Sequence, residues 1–495
     1  MKRLLTLATL LMSLTLSTSC ENSTPAYHNN IKVGEYYGCT FHNQLLEIEY
    51  ALDGGAAEVS ATTTAEWITN IDTSEAGILR LDIAANDNKL RSATVTLTAE
   101  GHNAAKITIS QIKAPEHTSH ALMFYFFGTS LSRYFETNIK DAKEAIKSGA
   151  LGDGNRVIYL YQNGSRAAYI REICYDPISR ECIEYEVERI RLDASQITPS
   201  EIGANISLMA SNVEADRYGI VFAGHGQGWI PREVLNNSSG AITLGTVNNP
   251  WQPAAGAEVT RALGENNVMV NPAEIAQGIT KSGVELDYIL FDACFMSNIE
   301  TIYELRESAN YIIASPCEIM GNGFPYHRTL PYLCAENGEA SNIIGAAESY
   351  YLFYRDEYVS SSRCGSVAVY NCAEIANLAE ATSRVVATAT NDYDKESLQT
   401  YEGQSVHYFY DFGEWVNVVA TDTAALDNFN SQLAKTVIAK YTLPTFYSAY
   451  GMYGTYDINM EVYSGVTTSA PSDAYPSAWR KTSWYNDVFN GGATN

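Results

Sequence analysis

Leu286-Asp-Tyr-Ile-Leu-Phe-Asp-Ala-Cys294, followed by Phe295-Met-Ser-Asn-Ile-Glu-Thr-Ile-Tyr-Glu-Leu305, is the stretch that decides how the chain is read. Its first half is a short apolar run rich in aromatic and β-branched residues, the composition of a strand buried on both faces. Its second half puts Met296, Ile299, Ile302, Tyr303 and Leu305 on roughly one face of a helix. Cys294 is therefore expected at a strand-to-helix junction, where the N–H groups of a helix start favour thiolate over thiol. A cysteine raised on the carboxyl edge of a parallel sheet is a candidate nucleophile, and an inert core cysteine is the alternative.

A second stretch, Tyr218-Gly-Ile-Val-Phe-Ala-Gly-His-Gly-Gln-Gly-Trp229, is another apolar run and ends in a glycine-rich turn around His225. Glycines at 224, 226 and 228 let the backbone come close to a bound molecule. The other seven histidines (28, 42, 102, 117, 120, 327 and 407) lack such a setting. Two parallel strands ending in His225 and Cys294 bring both to one rim of a sheet. A Cys–His dyad needs that arrangement, with sulfur to attack a carbonyl and imidazole to manage the proton.

The paired motifs Ala-Gly-His225-Gly-Gln-Gly-Trp and Phe-Asp292-Ala-Cys294-Phe-Met, about seventy residues apart, resemble the clostripain family of cysteine peptidases. That family shares a clan with caspases, legumains and gingipains. The run Ile312-Ile-Ala-Ser-Pro-Cys-Glu-Ile-Met-Gly-Asn-Gly-Phe-Pro-Tyr326 looks like the family's next strand and its glycine-containing substrate loop. The resemblance implies a caspase-like α/β/α sandwich with a mostly parallel sheet. It also implies Gly226 and Cys294 as backbone oxyanion donors. Asp292 and Glu318 are then the acids expected to select a basic residue before the cut, although Asp292 also reads as a strand-end cap for the next helix. No cofactor is expected; calcium dependence and self-cleavage occur among relatives, but no calcium-loop signature is present.

With 495 residues the chain is too long for one compact core. A net charge of −25 argues against nucleic acid or an anionic membrane surface as partner. Met-Lys-Arg, an apolar run from Leu4 to Leu16 and Ser-Thr-Ser before Cys20 read as an export signal similar to that of bacterial lipoproteins, with Cys20 lipid-bearing. The usual aliphatic residue three places before the cysteine is here Ser17. The chain is thus expected to be exported and anchored to a membrane by lipid at the cell envelope or surface. Of the remaining cysteines, Cys174 with Cys182 and Cys364 with Cys372 are the nearest candidates for pairing. No spacing of zinc-ligand type is present.

Residues 21–33 read as a polar tether and 34–113 as an antiparallel β-sandwich, because Leu45-Leu-Glu-Ile-Glu-Tyr50, Leu79-Arg-Leu-Asp-Ile83 and Ala93-Thr-Val-Thr-Leu-Thr98 alternate with period two. The segment resembles the BACON domain of Bacteroides-type surface proteins, which implies a spacer with a suggested glycan-binding role. Trp67 reads either as a sugar platform or as a core residue. A linker at 114–120 precedes an alternating β/α core at 121–335. Residues 236–270 read as a long excursion over the sheet rim, and 336–495 as a helical accessory region. The function implied is an exported cysteine endopeptidase acting on protein or peptide through a thioester acyl-enzyme. The alternative is a non-catalytic surface lipoprotein that binds glycan or protein.

Overall fold

Alternating side chains in the first hundred residues build short strands with one buried face. The computed structural model describes residues 29–128, 130–152, 154–162, 167–191, 197–234, 256–261, 270–335, 337–404, 406–450 and 456–490. It divides into two compact units, Met1–Gln111 and Ile112–Asn495. In the first, the strands Gln44–Glu49, Ile68–Asp72 and Ile78–Ile83 form one sheet. Tyr36–Cys39, Val59–Thr62, Arg91–Ala99 and Ala105–Gln111 form another. Leu79, Leu81, Ile83, Val95, Leu97, Ile107 and Ile109 fill their shared core.

This unit begins earlier than the sequence suggested. Asn29–Lys32, assigned above to the tether, is a strand between Ala51–Leu52 and His102–Asn103, with Ile31 buried. Trp67 packs half-buried against the core, and the Arg91 guanidinium lies 4.7 Å from its ring centroid. One face of the ring is therefore covered by a cation. The export signal and Cys20 lie outside the described residues.

The second unit is organised by a nine-stranded sheet. Its strands are β1 (His120–Phe126), β2 (Asn155–Gln162), β3 (Ala167–Asp176), β4 (Glu181–Arg191), β5 (Arg217–Ala223), β6 (Tyr288–Asp292), β7 (Tyr311–Ala314), β8 (Val367–Asn371) and β9 (Val437–Tyr441). The order is β4-β3-β2-β1-β5-β6-β7-β8-β9. The five neighbouring strands β2-β1-β5-β6-β7 pair in parallel, whereas β3 and β4 on one edge, and β8 and β9 on the other, are joined by antiparallel pairings. The mostly parallel sheet expected above is corrected accordingly. Charged hairpin residues such as Arg171, Glu184 and Glu186 suit a half-solvated antiparallel edge, whereas a parallel strand must be apolar on both faces.

β1 illustrates the layering. Leu122, Phe124 and Phe126 face helices α1 (Ser132–Lys147), α5 (Tyr326–Leu333) and α6 (Ala340–Asp356). Ala121, Met123 and Tyr125 face α2 (Pro199–Val213), α3 (Pro272–Ser282), α4 (Ile299–Glu304) and α7 (Ile375–Val386). Asn271 caps α3 and Pro272 opens it, with Glu274 accepting the Asn271 N–H at 3.0 Å.

The region beyond residue 336 is not a separate helical annex, because β8 and β9 complete the main sheet. All eight described cysteines are free thiols. Across the β3–β4 hairpin, Cys174 sits opposite Ile183 and Cys182 opposite Tyr175, so the two sulfurs leave opposite faces. Cys364 and Cys372 lie in the cores on opposite sides of the sheet.

Candidate active site

Parallel pairing of β5 with β6 places Gly219 beside Tyr288 and Ala223 beside Asp292. His225 and Cys294 each follow the last of these pairs by two residues, so they leave the sheet at the same edge. The turn after β5 lies directly on the cysteine. A Cβ on Gly226 would come within 2.0 Å of the Cys294 carbonyl oxygen and 2.6 Å of its nitrogen, a separation only glycine permits. The Nε2 atom of half-buried His225 lies 2.8 Å from the Ser130 hydroxyl.

The cysteine does not sit on a helix start. Phe295 turns the chain with φ +61°, its N–H donating to the Cys317 carbonyl at 3.0 Å, and α4 begins only at Ile299 with Asn298 as N-cap. A bulky residue held in left-handed backbone is strained, by about 1–3 kcal/mol. Stacking of Phe295 on Phe409, at 5.2 Å between centroids, helps hold it there. Without a helix dipole, burial dominates the sulfur. Cys294 is fully buried, and this desolvation pushes its thiol well above the usual range. Glu318 raises it further, while the Ile319 N–H, 2.9 Å from Sγ, and the Arg261 guanidinium oppose the rise. Burial thus works against the thiolate expected from a helix start.

What buries it is the chain itself. Residues 259–261 lie antiparallel against 319–321: Arg261 N–H donates to the Ile319 carbonyl at 2.7 Å, and Gly321 N–H to the Val259 carbonyl at 2.7 Å. The carbonyl of Arg261 accepts from Gly226 N–H at 2.8 Å and Cys294 N–H at 3.4 Å. The two backbone donors expected of an oxyanion site therefore converge on one carbonyl of this same protein.

The Arg261 side chain, fully buried, runs down to Asp292, also fully buried. Nη1 lies 2.8 Å from Asp292 Oδ2 and donates to the Asp292 carbonyl at 3.1 Å. Nε donates to the Gly321 carbonyl at 3.1 Å and Nη2 to Asn138 Oδ1 at 2.6 Å. Asp292 Oδ2 also accepts from the Tyr326 hydroxyl at 2.7 Å and Phe324 N–H at 3.2 Å. Burial raises the Asp292 carboxyl; the guanidinium, the Tyr326 hydroxyl and the Phe324 N–H pull it down. Gly323, at φ +68°, leaves the room: a Cβ there would come within 2.3 Å of the guanidinium.

Glu318 does not share the arginine. An added strand points successive side chains to opposite faces, so Arg261 meets Asp292 while Thr260 meets Glu318, donating from Oγ1 to Oε2 at 2.7 Å. The expectation that both acids contact one basic side chain is corrected by this pleat. Sequence reading missed Arg261 and Asn138, and it gave no separate role to Gly323 and Tyr326, which lie in the run read as the substrate loop. Of the excursion over the rim, residues 256–261 and Val270 are described, and the remainder of 236–270 lies outside the described residues.

The clostripain family model matches residues 125–466. The chain belongs to the clostripain family. Clostripain of Hathewaya histolytica is 24% identical over 350 residues, which cover 60% of this chain and 63% of that protein. This family member therefore spans less than two thirds of that relative's length. Among solved structures, a secreted C11 cysteine protease from Bacteroides thetaiotaomicron, iotapain, has a TM-score of 0.63 at 26% identity, covering 76% of this chain and 100% of that one. An inactive zymogen C11 protease from Parabacteroides distasonis has a TM-score of 0.62 at 25% identity, with 76% and 99% covered. The large mixed sheet described above is thus the fold of C11 proteases.

Proposed function

We propose that this clostripain-family protein is a cysteine endopeptidase that cuts after arginine, and that the Arg261–Ala262 bond of its own chain is its first substrate. The observation that carries this is the seat of Arg261. A peptide to be cut needs its side chain in a selective pocket, its backbone paired with an edge and its carbonyl on N–H donors beside the nucleophile. Arg261 has all three.

In this reading His225 takes the proton of Cys294, whose ionisation burial in the closed cleft disfavours. Sγ attacks the arginine carbonyl carbon, and negative charge on its oxygen is held by Gly226 and Cys294 N–H groups. His225 then gives the proton to the leaving amine, and water resolves the thioester. Arginine is preferred to lysine because four acceptor contacts in a fixed fork surround the guanidinium. Export is part of the proposal, supported by the secreted relative, and lipid attachment at Cys20 goes with it.

The test is to purify the chain and its Cys294→Ala variant and follow both by intact mass and N-terminal sequencing. A new terminus at Ala262 is expected in the first only. The opened protein is then treated with a peptide acyloxymethyl ketone bearing arginine, and should be labelled at Cys294. Equal labelling by probes bearing alanine or aspartate would defeat the arginine pocket.

A further inference from the structure

We propose that Glu318 is a specificity-determining residue that selects a hydroxyl-bearing side chain, threonine or serine, immediately before the arginine. The inference rests on the substrate-like seating of Arg261 and adds a second recognised position to it. Thr260 is buried opposite Met320, on the face of the added strand away from the Arg261 pocket. Its hydroxyl donates to Glu318 Oε2 at 2.7 Å. The other side of the carboxylate is already taken: Ser448 Oγ donates to Oε1 at 2.6 Å, and Ala449 N–H lies 3.1 and 3.2 Å from the two oxygens.

Glu318 is itself fully buried, and no cation pairs with it among the described residues. Burial pushes its carboxyl up to about 7, with Glu402 adding to the rise and the Ser448, Thr260 and Ala449 donors opposing it. Such a group depends on every donor it can gather. An occupant with valine in place of threonine fills the same volume but leaves Oε2 with only the longer Ala449 N–H contact at 3.2 Å inside a closed pocket. The preceding residue contrasts with this: Val259 is 44% exposed, so the third position from the cut has little to select it. The motif recognised is therefore any residue, then threonine or serine, then arginine.

The chain carries its own test in the rate at which the Arg261–Ala262 bond opens. Thr260→Ser should open within about threefold of the unchanged protein, and Thr260→Val about ten- to a hundredfold more slowly. In a Glu318→Gln background the difference between threonine and valine should shrink to about threefold, a ratio that a general loss of activity does not move. A trans series of fluorogenic peptides ending Val-Thr-Arg, Val-Ser-Arg, Val-Val-Arg and Val-Lys-Arg on the opened protein should give the same order, threonine and serine ahead. Equal rates for the unchanged chain and its Thr260→Val variant, or a lysine peptide faster than the threonine one, would overturn the assignment of Glu318. Opening that ignores Arg261→Ala would instead defeat the arginine reading itself, so the two failures are told apart.

Discussion

Replacing Arg261 by lysine separates shape from charge at the pocket proposed to select the cut. Lysine keeps one positive charge for Asp292, which is fully buried and otherwise paired only with neutral donors. It cannot reproduce the bonds from Nε to the Gly321 carbonyl and from Nη2 to Asn138 Oδ1. Each buried acceptor left unmet costs about 1–3 kcal/mol. Taking about 1.5 kcal/mol for each of the two, seating is weakened by about 3 kcal/mol, or roughly a hundredfold in the rate of opening. Arginine-to-alanine goes further. It leaves the Asp292 carboxylate buried without a cation, a loss of about 3–5 kcal/mol, and opening at residue 261 should become undetectable. Stability is read in a Cys294→Ala background by denaturant unfolding, and opening is read by intact mass over hours. If Arg261→Lys opens as fast as arginine, the fork geometry has no part in selection. If Arg261→Ala opens at the same bond, the substrate-like seat is wrong.

Three other changes test neighbouring parts of the site. Gly323→Ala forces a methyl within 2.3 Å of the guanidinium at a φ of +68°, so opening after Arg261 should slow by about a hundredfold, as intact mass will record. Gly226→Ala drives a Cβ to within 2.0 Å of the Cys294 carbonyl; unfolding of the Cys294→Ala chain should show a loss of about 1–3 kcal/mol, and in the intact chain labelling of Cys294 should vanish. The carboxyl of Glu318, at about 7 in the fold against an ordinary 4.5, binds its proton more tightly folded than unfolded. Its contribution is therefore most favourable below about 4.5 and declines as pH rises to 7, so that Glu318→Gln in the Cys294→Ala background should gain roughly 3 kcal/mol relative to its parent across that window.

The sheet edge was legible because its signals are local. Residues 288–291 and 218–223 form runs without a charged side chain, and the glycine after His225 announces a close approach that turns out to be onto Cys294 itself. The antiparallel edges were harder to see. Val437–Tyr441 has a half-buried pattern and directly follows a helical stretch, and nothing local says that it returns to the main sheet beside Val367–Asn371. Asn138, on α1, and Arg261, in a stretch without periodicity, reach the pocket only through tertiary structure. The misplaced helix start has a different cause. The apolar spacing from Met296 to Leu305 fits a helix, but the backbone at Phe295 is left-handed and the hydrogen bonds of residues 295 and 297 go to Cys317 and Ser315 instead.

The same limit explains why sequence alone points two acids near one cysteine at a single basic partner. In sequence Asp292 and Glu318 are merely two carboxylates flanking a nucleophile. Once a peptide is laid along residues 319–321 the pleat divides them, because neighbouring side chains of an extended strand cannot reach the same pocket. One acid is matched by a guanidinium and the other by a hydroxyl, although both are equally buried. Their partners differ because their surroundings differ. Asp292 has Asn138, the Gly321 carbonyl and the open space at Gly323 to complete a fork, whereas Glu318 already holds Ser448 and Ala449 and has room for one short donor. If the proposed seating is right, a cleft so built reads the length of one side chain and the polarity of the next.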